Sequence, residues 1–317
     1  LKNQGYKVNF IRNITDVDDK IIERAIQNNE LISDLTQRTI SSMHEDFLKL
    51  GLELPTAEPK ATDHISGMIE MIKDLIEKGH AYHSSGGDVF FAVRTFPEYG
   101  KLSNKNIDDL NPGSRIAEDE SKQDPLDFVL WKSAKEGEPS WDSPWGKGRP
   151  GWHIECSVMS LTNLGEHFDI HGGGPDLLFP HHENEIAQSE CSSGKQFANY
   201  WLHSGLLKIN GEKMSKSLGN FAMLKDLFVS YHPEVLRYYL VSSHYRSSLN
   251  FDNASLDQAR SALARLYQAL ASVEGMGHEL DQDMMKQFSE VMNDDLNTPE
   301  ALSILFQLAK LINNSSD

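Results

Sequence analysis

The stretch from 151 to 220 limits the possible folds more than any other part of the chain. It reads GWHIECSVMS, then HFDIHGGGPDLLFPHHENEIAQ, then YWLHSGLLKINGEKMSKSLGN. His181 and Glu185 are four residues apart, so a helix projects both from one face. Cys156 lies well upstream, and a fold that uses it with them must bring distant segments together. A thiolate, an imidazole and a carboxylate form a borderline-soft donor set that suits Zn²⁺ better than Mg²⁺ or Ca²⁺. Three protein ligands with an open position mark a site that meets substrate, whereas structural sites close with four. The spacing is a weak signal by itself. H-x-x-x-E on a helix is common, and a capped helix after a glycine turn reads the same way.

The string Lys213-Met214-Ser215-Lys216-Ser217 is more specific. It follows the Asn210-Gly211 turn. A loop of this kind wraps a triphosphate, its ammonium groups neutralising charge that moves onto the departing pyrophosphate. The plain alternative is a solvated basic loop.

At 317 residues, 39% apolar and 24% charged, the chain is long enough for a sizeable core and two or three domains. No run of about 18 apolar residues occurs, so no membrane-spanning helix is expected. The opening residues carry no secretory or transit pattern. Two cysteines, Cys156 and Cys191, cannot build a disulfide framework, and a reducing cytoplasm is expected. The formal charge of −17 argues against a polyanionic partner, but its distribution argues the other way. Residues 195–246 carry seven Lys or Arg against three Asp or Glu. A locally basic surface on an acidic body can hold one polyanion in one place.

In chain order, Tyr6–Asn13 alternates like a strand. A helix follows over Lys20–Asn28, with Asp16 or Asp18 as its N-cap. Thr15 falls at the carboxyl end of that strand, where open α/β sheets bind ligands. Further helices are expected over Ser33–Leu50 and Thr62–Lys78. His64-Ile65-Ser66-Gly67 sits inside the latter, follows no strand and is read as structural. His80–Tyr82 and Asp88–Val93 form a hairpin. Residues 100–127 are polar and turn-rich, and Asp127–Lys132 is a strand. Trp141 and Trp145 are expected to pack on the core. Glu155–Asn163 is a short helix carrying Cys156, and His167–Ile170 is a strand. The glycines of His171-Gly172-Gly173-Gly174 then let backbone approach a ligand closely. HGGG also occurs in esterase oxyanion loops, but no G-x-S-x-G elbow accompanies it. Helical patterns fill the rest, over 224–230, 233–243, 255–273, 284–292 and 298–312. Cys191 reads as a buried small residue. The chain opens on Leu1 and stops just after an amphipathic stretch, so a piece of a longer protein is expected.

KMSKS after a strand and a turn resembles the second signature of the class I aminoacyl-tRNA synthetases. With NITDVDDKI, GWHIECS and HGGGPDLLFPHHENE in the same order, the chain resembles the cysteinyl-tRNA synthetase family from Leu1 to Asp317. The resemblance implies an α/β fold: a Rossmann-like catalytic domain split by an insertion, then an α-helical domain. Residues 1–79 would be its first part, 80–150 the connective insertion and 151–222 its second half with the zinc site and the KMSKS loop. Residues 223–252 would contact the tRNA stem, and 253–317 would begin the anticodon-binding domain.

It implies ATP-dependent activation of cysteine to cysteinyl-adenylate, then transfer to tRNA(Cys), by a cytoplasmic, monomeric enzyme that touches no membrane. One Zn²⁺ per chain, on Cys156, His181 and Glu185, would select the thiol, and Mg²⁺ would accompany ATP. Lys216, Lys213 and Ser215 would contact ATP, the two lysines acting in catalysis. Thr15, Trp152 and His171 would line the cysteine pocket. The family's second cysteine ligand and its His-Ile-Gly-His signature have no counterpart here, so this polypeptide alone is expected to bind zinc weakly and not to activate cysteine. Two other readings are a ligase joining cysteine to a glucosaminyl-inositol, and a non-catalytic module descended from a synthetase.

Overall fold

The computed structural model describes residues 1–109, 121–209, 211–213, 222–273 and 281–315. The chain divides into two compact units, Leu1–Ser42 with Leu54–Leu202, and Met43–Glu53 with His203–Asp317.

In the first unit, residues 10–14 run parallel to 56–61. Arg12 N donates to Ala57 O, Ile14 N to Pro59 O, and Ala61 N to Ile14 O. The alternating segment is therefore extended, but it pairs only through isolated bridges rather than as the full strand its pattern suggests. Pro59 has no N–H to give the ladder, which keeps the pairing short. Asp18 caps α1 (Asp19–Asn28), accepting from Ile21 N at 2.8 Å. Asp16, the other candidate cap, instead accepts from Thr62 N and Thr62 Oγ1. Helix α2 (Ile32–Lys49) follows, then α3 (Ile65–Glu77).

Helix α3 buries Ile65, Met68, Met71, Ile72 and Leu75, an i, i+3, i+4 stripe. Each such side chain removed from water contributes about 1.5–3 kcal/mol. Gly67 of α3 lies against α4, where a Cβ would come 2.9 Å from Val158 Cγ1. His64 through Gly67 is thus a packing feature, as its helical setting suggests.

Strands β1 (Ala81–His83), β2 (Val89–Phe91), β3 (Phe128–Ser133) and β4 (Gly148–Pro150) form an antiparallel sheet in that order. Its inner face carries Phe91, Leu130 and Trp131 into the core, where Trp141 and Trp145 pack against it. Helix α4 (Trp152–Leu164) starts three residues earlier than its apolar pattern suggests, with Gly151 as N-cap. Strand β5 (Phe168–Gly173) runs on through His171, so the histidine and two glycines lie in the strand rather than beyond it. Helix α5 (Glu183–Ser193) packs on α3 and α4, and β6 (Ala198–His203) pairs with β5. Cys191 on α5 is partly buried against the core, which pushes its thiol up to about 12.

In the second unit, β7 (Leu207–Ile209) pairs antiparallel with β8 (Glu212–Lys213) and parallel with β9 (Leu249–Phe251). The helices are α6 (Leu224–Leu227), α7 (Pro233–Val241), α8 (Asn253–Ala271), α9 (Gln282–Asn293) and α10 (Thr298–Ser315). Pro233 opens α7, where its missing N–H costs nothing. Leu50, Val235, Leu236, Tyr239, Leu256 and Ala259 form this unit's core. Among the described residues no helix is long and apolar enough to cross a membrane.

Candidate metal centre

Three segments of the first unit converge. Helix α4 supplies Cys156. A turn over Leu178–His182 supplies His181, and α5 continues from it and supplies Glu185. The donor atoms of Cys156, His181 and Glu185 lie within 4.8 Å of one another, and all three residues are buried. His181 Nε2 stands 3.1 Å from Glu185 Oε1. The i, i+4 relation read from the sequence is therefore kept, although the helix proper begins only at Glu183.

Glu185 is fully buried, and neither of its oxygens receives an aligned hydrogen bond. Oε1 faces His181, and Oε2 faces His171 Nε2 at 3.3 Å. Burial acts to raise the Glu185 pKa. The two imidazoles outweigh it and hold the carboxyl well below the usual range. Burial drives the Cys156 thiol the other way, well above its ordinary value, and the nearby Glu185 and Glu155 carboxylates add to this. A protein thiol in such a place stays protonated unless a cation compensates. A divalent cation fits this donor set: Cys156, His181 and Glu185 would hold it, and its charge would stabilise the thiolate. Thiolate, imidazole and carboxylate together match zinc's preferences.

Trp152 is exposed, and its ring lies 4.2 Å from that of His181. His171, on β5, packs edge-on against His182 at 4.8 Å and against Trp201 at 4.7 Å. His171, His182 and Glu185 form a second group whose donor atoms lie within 4.8 Å, sharing the carboxylate. Thr15 lies beside the buried Glu155 carboxyl, which burial holds well above its ordinary value. Trp152, His171 and Thr15 thus all lie in the unit that holds the centre.

Several groups at this site escape sequence reasoning. Asn13 Nδ2 donates to Cys156 Sγ at 3.4 Å, across 143 residues of chain. His153 Nδ1 lies 2.9 Å from His181 Nδ1, and burial followed by the neighbouring imidazole lowers its pKa to about 3. His182 shows in the sequence only as the second half of a His-His pair, with no role to be read from it. Gly173 carries no Cβ because His182 Cε1 would lie 2.8 Å away and Leu177 Cδ1 2.9 Å away. That glycine admits a neighbouring imidazole, which differs from the close ligand approach its motif suggests. In the second unit, Lys213 ends β8, its backbone paired with Lys208. Ser215 and Lys216 lie outside the described residues, as do the Asn210 turn position and the Asn111–Gly113 and Glu118–Glu120 parts of the polar stretch.

Residues 1–261 match the family model for the catalytic domain of class I (C) tRNA synthetases, and residues 287–317 match the DALR domain. The chain is 57% identical to a cysteine–tRNA ligase of Azotobacter vinelandii, over all of its own length and 69% of the relative's. It is also 57% identical to one from Methylococcus capsulatus, over 99% of this chain and 68% of that one. Among solved structures, Mycobacterium tuberculosis methionyl-tRNA synthetase with methionyl-adenylate superposes with a TM-score of 0.67 at 14% identity. That match covers 99% of this chain and 76% of the other. It is a likeness of fold.

Proposed function

The chain belongs to the cysteine–tRNA ligases of the class I synthetase family, and on that premise we propose that Cys156, His181 and Glu185 hold one zinc ion that selects the substrate. The observation that carries this reading is the convergence of their three donor atoms within 4.8 Å, all three on buried residues. The family's reaction activates cysteine with ATP and then passes the acyl group to tRNA. The glucosaminyl-inositol ligase and the non-catalytic module are not favoured by these relatives. When bound, the ion supplies a soft, electron-accepting position that a thiolate fills far better than the hydroxyl of serine.

The remaining work falls to the chain's own groups. Cysteine and serine differ by one atom, and a pocket reading shape alone separates such pairs poorly. Trp152 and His171 wall the thiol side, and Thr15, steadied by Glu155, borders the amino acid. Activation needs no protein nucleophile, because the substrate carboxylate attacks the α-phosphate directly. Lys216 and Lys213, with Ser215, stabilise the pyrophosphate as charge moves onto it, and Mg²⁺ accompanies ATP. The ribose hydroxyl of the terminal nucleotide of tRNA(Cys) then attacks the acyl carbon of cysteinyl-adenylate, breaking the acyl–phosphate bond and releasing AMP.

Residues 1–79 and 151–222 serve as the two parts of the catalytic domain, and 80–150 as its connective insertion. Residues 223–252 contact the tRNA stem, and 253–317 begin the anticodon-binding helices, a reading the DALR match at 287–317 supports. The protein works as a cytoplasmic monomer. Cysteine-dependent ATP–pyrophosphate exchange by the intact protein carrying this chain tests the role of the loop. Lys216→Ala should lower the exchange rate constant roughly 100- to 1,000-fold, with little change in the KM for cysteine. An unchanged rate constant would remove Lys216 from the reaction.

A further inference from the structure

We propose that His153 is a positioning residue of the metal centre, its Nδ1 accepting the Nδ1 proton of His181 and so committing His181 Nε2 to the cation. The inference rests on the reading of Cys156, His181 and Glu185 as a metal site.

The two Nδ1 atoms are 2.9 Å apart, a hydrogen-bond distance that admits one proton between them. A neutral imidazole has one N–H and one lone pair, so two arrangements are open. With the proton on His153, His181 Nδ1 accepts and His181 Nε2 carries a hydrogen. That hydrogen would point at Glu185 Oε1, 3.1 Å away, and an Nε2 that carries it has no lone pair left for a metal. With the proton on His181 Nδ1, the Nε2 lone pair faces a carboxylate oxygen. Two lone pairs at that distance repel unless a cation lies between them. The second arrangement is the one a metal site uses, since a ligating imidazole donates its other N–H to an outer acceptor.

His153 is well placed to be that acceptor. It lies on α4 three residues before Cys156, so one helical turn carries both the thiol and the group that orients the imidazole. The Phe128 ring meets it edge-on at 5.6 Å, and the Trp152 ring lies at 5.4 Å. These contacts restrict rotation of the His153 ring. The sheet strand β3, which carries Phe128, is thereby linked to the ligand set through an aromatic contact and a single hydrogen bond.

The test compares His153→Asn with His153→Leu in the intact protein. Asparagine places a carbonyl oxygen close to where Nδ1 stood, and leucine offers no acceptor. Zinc affinity is read by chelator competition, and the ligand field by the visible spectrum of the cobalt-substituted protein. His153→Leu should weaken zinc binding roughly 10- to 100-fold and shift the cobalt bands, and His153→Asn should restore most of the affinity. Should the leucine variant fail to fold, His153→Gln, whose oxygen lies one bond further out, takes its place against asparagine. Equal affinities across the set overturn the proposal, and so does an asparagine variant that folds yet binds zinc as poorly as its comparator. Cys156→Ser in parallel separates the two claims. If it alone loses zinc, the metal site stands and the role of His153 falls. If it too binds zinc normally, the metal reading itself falls.

Discussion

Glu185 and Cys156 face the same problem from opposite sides. Both are buried, and water cannot stabilise either charge. The carboxylate keeps its charge because two imidazoles stand against it, whereas the thiol keeps its proton. Metal uptake must therefore expel the Cys156 proton. Because burial places the thiol pKa above its ordinary value, the thiol is protonated across neutral pH, and protons compete with the metal throughout that range. Zinc affinity should rise with pH, by about tenfold per unit for one displaced proton. Chelator competition at a series of pH values reads the slope, and a flat profile would mean that Cys156 is not a ligand. Glu185→Gln keeps the volume and removes the charge. It should weaken zinc binding by more than the ~10- to 100-fold typical of an outer-sphere change.

At the scale of elements, the centre depends on how closely β5 approaches the turn that leads into α5. A methyl group on Gly173 would sit 2.8 Å from the His182 ring, whereas one on Gly172 would find its nearest neighbour at 3.5 Å. Gly173→Ala should destabilise the protein by about 1–3 kcal/mol through overpacking, and Gly172→Ala by less than about 0.5 kcal/mol. Paired thermal or urea unfolding of the two variants checks this, and equal losses would deny the contact its importance. The same elements mark what the sequence makes legible. His181 and Glu185 are readable because helical periodicity ties residues four apart. The helices of the second unit are readable from their apolar stripes and from Pro233. Asn13 beside Cys156, and His153 beside His181, are not readable, because tertiary folding alone brings such pairs together across 143 and 28 residues. The start of α4 is not readable for a local reason: Gly151 caps it without a side chain, so no Ser, Thr or Asp announces the first turn.

The whole molecule carries a net charge of −17 with a basic stretch over 195–246, a distribution suited to a polyanion held at one place on an acidic body. It belongs to a family whose named members join cysteine to tRNA, and the fold resembles that of synthetases for other amino acids. What sets this chain apart from a generic adenylate-forming scaffold is the proposed zinc centre in its first unit, and the deciding question is whether the metal meets the substrate sulfur. Zinc-edge X-ray absorption of the intact protein, before and after saturation with cysteine, measures that contact. The spectrum should gain one sulfur at about 2.3 Å on adding cysteine and should not change on adding serine. A sulfur count that stays the same when cysteine binds would contradict the account.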